Sequence, residues 1–223
     1  MASEQKTFRH LAGHDLETVF NRPAQPQGVV VLAHGRINDL EHPVLKTAAQ
    51  GAQEAGWAAV RFNFPYRQRG DAQPDSFGLL VEVHRAAAEW ALSQLGPGSR
   101  RLVMAGKSLG ARTAVEAVRQ GLEAAGLLFL GYPLHPPGQV QDLRDQPLLG
   151  LDRPLLFVQG QADDLCRLDL LESVLARLQP RPELEVVPQA DHGFARPGGG
   201  ADPSPEVLAQ IKQAVAQWLA GLK

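Results

Sequence analysis

The sequence predicts an α/β fold with a mostly parallel central sheet and helices on both faces. Short strand-like runs alternate with helix-like segments along the whole chain. Several of the runs are continuous in Val, Leu and Phe with no polar alternation, as strands covered on both faces require. The 223 residues, 44% apolar and 21% charged, suffice for one domain with a substantial core.

Taken in order, strands are expected over 16–20 (LETVF), 29–33 (VVVLA), 58–62 (AAVRF), 101–105 (RLVMA), 127–130 (LLFL), 155–158 (LLFV) and 184–187 (LEVV). Helices fall between them, roughly over 43–55, 77–95, 109–120, 168–178 and 205–222. The last is the clearest: Ser204 suits its cap and Pro205 its first turn. Val207, Ile211, Val215, Trp218 and Leu222 then recur at helical spacing. There is no internal repeat, and the Pro/Gly-rich stretches QPRPE and ARPGGGADPSP read as connections within one domain spanning 1–223.

Composition excludes several classes. The formal charge is −2, and neither half carries a long run of one sign, so nucleic acid and anionic membrane are not expected partners. The stretch MASEQKTFRHL has no apolar run that could serve as a leader, and VVVLA and LLFL are far too short to span a bilayer. The single cysteine, Cys166, leaves no internal disulfide and fits a reducing compartment, so a cytoplasmic location is expected. The seven histidines include no H-E-x-x-H and no clustered ligand set, so neither a metal nor a cofactor is expected. Cys166 has no activating partner placed for it, and His84 is expected to be half-buried on its helix.

The stretch AGKSLGAR, 105–112, admits two readings. A phosphate-binding loop needs G-x-x-x-x-G-K-[ST], which puts its first glycine at position 101; that residue is Arg101, and the four between are an apolar strand rather than a loop. The alternative is G-x-S-x-G, a strand running into a tight turn with a helix directly after the serine. Arg101 to Ala105 supplies the strand and LGARTAVEAVRQ the helix. Gly106 and Gly110, two before and two after Ser108, are as small as such a turn demands.

A serine hydroxyl needs a base, and the base an orienting carboxylate. In chain order serine, acid, histidine, only His135 and His192 follow Ser108. His192 lies in QADHGF, after the last strand, where a loop can return it over the serine. His135 sits in YPLHPPG, a proline-rich loop expected to expose it. The acid should follow strand 155–158, whose end reads QGQADDLCR; Asp163 is the expected partner, and Asp164 the expected cap of the next helix. An oxyanion hole needs two backbone N–H groups already in place. Leu109, at the positive end of its helix, is one candidate. The other is Arg36 or Ile37, after VVVLAHG, with His34 as a loop-fixing hydrogen-bonder.

With these residues placed, the chain resembles the α/β-hydrolase superfamily over nearly its whole length. Within it, VVVLAHG, RFNFPYRQRG, AGKSLGAR, FVQGQADD and DHGF are similar to small, lidless, dienelactone-hydrolase-like esterases and predicted hydrolases. That resemblance implies an α/β-hydrolase fold without a large cap domain, a triad of Ser108, Asp163 and His192, and oxyanion donors Leu109 and Arg36. Relatives tend to have small residues after His-Gly, where this chain has Arg36-Ile37-Asn38-Asp39. Tyr66 and Arg67, in the loop FNFPYRQRG at the carboxyl edge of the sheet, are candidates to bind substrate; the alternative is that the aromatics pack and Arg67 is solvated. The 23-residue stretch 131–153, where many relatives insert a cap, is short, which implies an open pocket. The function expected is acyl transfer on a small ester or thioester. The competing reading is a silent scaffold that serves as a protein-interaction module, since the subgroup resembles the hydrolase-like domain of certain animal proteins.

Overall fold

Val29, Val31 and Ala33 point to one face of the sheet, Val30 and Leu32 to the other, and all five are buried. A strand that must be apolar on both sides has to lie inside a sheet covered on both sides. A computed structural model describes residues 6–96, 101–198 and 200–222. Residues 1–5 of the stretch read for a leader, and residue 199 of the ARPGGGADPSP loop, lie outside the described residues.

The sheet has eight strands: β1 (Lys6–Leu11), β2 (His14–Asn21), β3 (Val29–Ala33), β4 (Ala58–Phe62), β5 (Leu102–Lys107), β6 (Gly126–Leu130), β7 (Leu155–Gly160) and β8 (Glu183–Val187). Their spatial order is β1-β2-β4-β3-β5-β6-β7-β8. β3 to β8 are mutually parallel, while β2 pairs antiparallel with both β1 and β4. The helices are α1 (Pro43–Glu54), α2 (Pro65–Gln68), α3 (Phe77–Ser93), α4 (Leu109–Arg119), α5 (Leu168–Leu175) and α6 (Pro205–Gly221).

Two apolar layers hold the helices to the sheet. α3, α4 and α5 bury Val83, Ala114 and Leu171 against the face that includes Val31 and Met104. α1 and α6 bury Ala48, Ile211 and Val215 against the face that includes Leu32 and Val103. α1 approaches α6 so closely that a Cβ on Gly51 would lie 2.7 Å from the Lys212 carbonyl oxygen. Truncating a buried side chain such as Ile211 to Ala would cost about 2–5 kcal/mol.

Some boundaries differ from expectation for physical reasons. β1 was not expected: its residues alternate exposed and partly buried, because it is an edge strand with one partner and a largely solvated face. α2, a single turn within the loop after β4, was also not expected. β5 and β7 run two residues further, through Gly106-Lys107 and Gln159-Gly160, so polar and glycine positions that read as loop still pair as strand. α5 stops at Leu175, three residues early. Its N-cap position is Arg167, with no side-chain cap bond, so the exposed Asp164 does not cap it. Ser204 does accept a hydrogen bond from the Val207 N–H at the start of α6. No helix among the described residues is long and apolar enough to cross a membrane.

Candidate active site

β5 ends at Lys107, and Ser108 follows at φ 52°, ψ −107°, the left-handed region that a non-glycine side chain enters only under constraint. The constraint is packing. A Cβ on Gly106 would lie 2.6 Å from the Ala111 nitrogen, and one on Gly110 would lie 2.6 Å from the Ala33 carbonyl carbon. Strand β5, helix α4 and strand β3 therefore meet backbone to backbone, and the turn between them has one shape. Its product is a serine at the N-cap of α4, at the carboxyl edge of the sheet.

His192 is brought to Ser108 by a loop seated on the ends of β6 and β7. A Cβ on Gly160 would lie 2.5 Å from both the Ala190 and Asp191 carbonyl oxygens, so only glycine lets that loop settle on β7. The Asp191 carboxylate accepts from the N–H groups of Gly193 and Ala195 at 2.8 and 2.9 Å, closing a turn around His192. Lys107 Nζ donates to the His192 carbonyl oxygen at 3.0 Å. Burial draws the Lys107 amine down to about 8, against the opposing pull of Asp163 and Asp191.

The resulting line of hydrogen bonds is continuous. His192 Nε2 lies 2.9 Å from Ser108 Oγ, and His192 Nδ1 lies 2.7 Å from Asp163 Oδ2. The Asp163 side chain is fully buried, and its carboxylate accepts from three donors: His192 Nδ1–H, the Gln159 side-chain amide, and the Leu165 N–H at 2.8 Å. With Nδ1 donating to the carboxylate, the Nε2 lone pair faces the serine hydroxyl.

The loop after β3 runs beside this line. A Cβ on Gly35 would lie 3.5 Å from Ser108 Cβ. His34 fixes the loop from below: its Nδ1–H donates to the Gly35 carbonyl at 2.8 Å, and its Nε2 accepts from the Phe64 N–H at 3.0 Å. Burial holds that imidazole down to about 4, hence neutral. Leu109 opens α4, and its N–H lies in the helix's first turn, without an intrahelical acceptor. The cleft over Ser108 has a volume of about 810 Å³; its walls include Arg36, Ile37, Asn38, Leu109 and Leu165. His42 also lines it, its imidazole lowered to about 4 by burial and then by Lys107.

Several residues sit elsewhere than expected. Tyr66 does not line the cleft: it is fully buried, and its hydroxyl donates to the Arg36 carbonyl at 2.7 Å. Arg67, on the single turn α2, is outside the lining too. His135 is 1% exposed rather than solvated, because its Nε2 accepts from the Arg167 N–H at 3.1 Å while Nδ1 donates to the Pro136 carbonyl. His84 is fully buried between Thr113 Oγ1 and the Val31 carbonyl. Cys166 is buried, and burial pushes its thiol pKa well up, away from the reactive thiolate. Among the described residues no group of three or more His, Cys, Asp or Glu is placed to hold a metal.

Two residues at the site escaped the sequence reading. Lys107 was read only as the lysine of the rejected phosphate-binding loop, with no place given to it beside the serine. Gln159 had a signal, an amide at the end of an otherwise apolar central strand. It is fully buried, and its side chain spans the Asp163 carboxylate and the Tyr132 N–H.

This geometry agrees with the comparisons. A family model described as "Alpha/beta hydrolase domain" matches residues 26–220. The chain belongs to that family. In structure it is similar to a lidless serine hydrolase from Xanthomonas campestris, with TM-score 0.73, 22% identity, and 96% and 94% of the two chains covered. It is also similar to a dienelactone hydrolase from Anabaena variabilis, with TM-score 0.77, 21% identity, and 99% and 98% covered. A curated Mycobacterium tuberculosis protein with a provisional phosphoribosyl transferase name is 26% identical over 198 residues. The match covers 88% of this α/β-hydrolase chain but 41% of that relative, so the name describes a protein more than twice as long as the matched region.

Proposed function

We propose that this chain is a serine hydrolase that cleaves a small ester or thioester through an acyl-enzyme intermediate. The observation that carries the proposal is the unbroken Asp163–His192–Ser108 line, at 2.7 and 2.9 Å, opening onto a cleft. A binding scaffold has no use for a buried, triply hydrogen-bonded carboxylate aimed at an imidazole that in turn faces a strained serine.

In the proposed reaction Ser108 Oγ bonds to the substrate carbonyl carbon as its proton passes to His192 Nε2. The carbonyl π pair moves onto oxygen, where the Leu109 and Arg36 N–H groups stabilise the charge. Asp163 stabilises the imidazolium. The intermediate collapses, breaking the bond to the alcohol or thiol, which takes the proton from Nε2. Water then gives a proton to Nε2 and attacks the acyl carbon; the second collapse frees the acid and returns the proton to Ser108 Oγ. Each step uses side chains and backbone alone, so no cofactor or metal is called for. The open cleft suits small acyl groups.

A fluorophosphonate probe tests the reading. Wild type should be labelled and Ser108→Ala should not; a folded wild type that resists labelling supports the interaction-module reading instead. Once an ester substrate is in hand, Asp163→Asn should lower kcat by about 10⁴-fold. Asp164→Asn, at an exposed side chain, should stay within about twofold. The reverse order would overturn the assignment of the acid.

A further inference from the structure

Lys107 stands immediately before Ser108, and its side chain takes no part in the reaction above. Strand periodicity puts it on the same face as Val103 and Ala105, the face that α1 and α6 cover. A lysine amine is seldom buried without an ion pair, yet this residue is 3% exposed. Among the described residues no carboxylate lies within 4.0 Å of the amine. Its one hydrogen-bond acceptor among them is the His192 carbonyl oxygen, at 3.0 Å. The main chain of Lys107 is fixed in the sheet, paired in register with Leu130 on β6.

That arrangement is costly. Burial draws the amine from 10.5 to about 8, and Asp163 and Asp191 oppose the fall without pairing with it. His42, at the N-cap of α1, faces it as well; burial and Lys107 hold that imidazole neutral, while Asp202 and Asp39 pull it the other way. The amine therefore keeps its proton at neutral pH. Between about 8 and 10.5 the unfolded chain binds the extra proton, so this group makes the fold more stable as pH rises through that window. A methionine of similar length would fill the space without the penalty of an unpaired buried charge, so packing does not account for a lysine here.

What the charge touches gives its use. His192 is gripped twice: its ring by Asp163 at 2.7 Å, and its carbonyl by Lys107 at 3.0 Å. Because Lys107 and Ser108 are consecutive, the main chain of the base is tied to the same dipeptide that carries the nucleophile. We propose that Lys107 is a positioning residue for the base: its ammonium holds the His192 main chain and so keeps Nε2 at hydrogen-bond distance from Ser108 Oγ. The bond is charge-assisted, roughly twice as strong as one from a neutral donor. The inference rests on the hydrolase reading above and adds a residue to it.

The experiment follows the rate of fluorophosphonate labelling with pH, since that reaction needs the base but no identified substrate. In wild type the rate should fall a few-fold as pH rises through about 8 and then level off, because a neutral amine still donates but holds less firmly. A lysine Cε resonance followed by NMR should titrate at the midpoint of that fall. Lys107→Met should label roughly 10- to 100-fold more slowly at pH 7, the scale of a base displaced by up to about 1 Å, and should show no fall above 8. With an ester in hand, kcat and kcat/KM should drop together at unchanged KM. Lys212→Met, on α6 where the lysine pairs with Glu54, should leave rate and profile as they are. A Lys107→Met rate within twofold of wild type, or a variant that keeps the fall, overturns the proposal. So does a rise in KM at constant kcat, which would make the amine a substrate ligand. If Lys107→Met does not fold, wild type decides: a flat rate from pH 7 to about 9.5, or a fall that no lysine resonance matches, overturns it.

Failure of this inference and failure of the hydrolase reading are separable. If wild type is not labelled at any pH, the hydrolase reading falls. The positioning role is then judged by the His192 Cε1–H resonance, assigned by its loss in His192→Gln. That resonance should be sharp in wild type at pH 7 and broadened in Lys107→Met, or in Lys107→Gln if the methionine variant does not fold. Equal linewidths in two proteins with native circular dichroism overturn it.

Discussion

After β5 the chain holds one residue, Ser108, in the left-handed region and starts α4, which leaves the hydroxyl at the cleft. After β4, two strands away across β3, it turns inward instead. There the Asn63 side chain accepts from the Leu40 N–H, the Phe64 N–H donates to His34, and the Tyr66 hydroxyl reaches the Arg36 carbonyl. Both loops leave the same edge of the sheet. One presents a reactive group, and the other braces the loop that runs beside it. Position at the carboxyl edge is thus necessary for a site residue but does not suffice; whether the backbone beneath the turn leaves room for a side chain decides the rest.

Glycine tests that difference most severely. Gly110 and Gly70 follow β5 and β4 in turn, but a Cβ on Gly110 would press on the Ala33 backbone, which cannot give way, whereas a Cβ on Gly70 meets nothing within 4 Å. Gly110→Ala should lose more than about 4 kcal/mol and leave the protein unfolded or its Tm lower by about 10 °C or more. Gly70→Ala, strained only by its φ of 80°, should lose about 1 kcal/mol. Equal Tm values for the two in thermal unfolding would break the contrast between the loops.

Acid probes the clasp between the loops after β3 and β4. His34 titrates at about 4 in the fold because burial disfavours its charged form, against about 6.5 unfolded. Between those values the unfolded chain binds more protons, so stability falls as pH drops from about 6.5 to about 4 and is fully present above 6.5. His84, also buried and lowered to about 4, acts in the same direction. Each contributes on the order of 3 kcal/mol across that window. Urea unfolding of wild type at pH 7 and pH 4.5 should show the loss. His34→Gln should be less stable at pH 7, having lost the clasp, but flatter with pH. An unchanged slope in that variant would mean that the clasp does not carry the titration.

What could be read from residues alone follows from the same contrast. Ser108, Asp163 and His192 were legible because each stands just past a strand end, beside glycines or turn-formers that leave a loop few ways to go. β3 was legible because a both-faced strand tolerates only apolar residues. β1 was hidden because an edge hairpin alternates like a solvated loop. Tyr66 and His135 were misplaced for a common reason: composition identifies a loop but does not say which backbone groups its side chains will satisfy. Tyr66 was drawn inward by the Arg36 carbonyl, and His135 by the Arg167 N–H. Neither acceptor nor donor is visible until distant segments meet. Gln159 and Lys107 follow the same logic, one satisfying a carboxylate four residues on, the other a carbonyl 85 residues on.

The smallest expected effect separates bracing from binding. Tyr66→Phe removes one hydroxyl and leaves the ring packed against Phe64 and His34, so stability should fall by only about 1 kcal/mol. The kinetic signature is more informative than the size of the loss. If Tyr66 acts only through the Gly35 and Arg36 carbonyls, loosening them misaligns the Arg36 N–H, which shares a peptide plane with the Gly35 carbonyl, against charge that exists only in the transition state. kcat and kcat/KM should then fall together, by a few-fold, with KM unchanged. A rise in KM at constant kcat would mean that the hydroxyl touches the substrate in the ground state. In that case the loop after β4 would share the cleft with the serine turn, and the two loops would differ in degree rather than in kind.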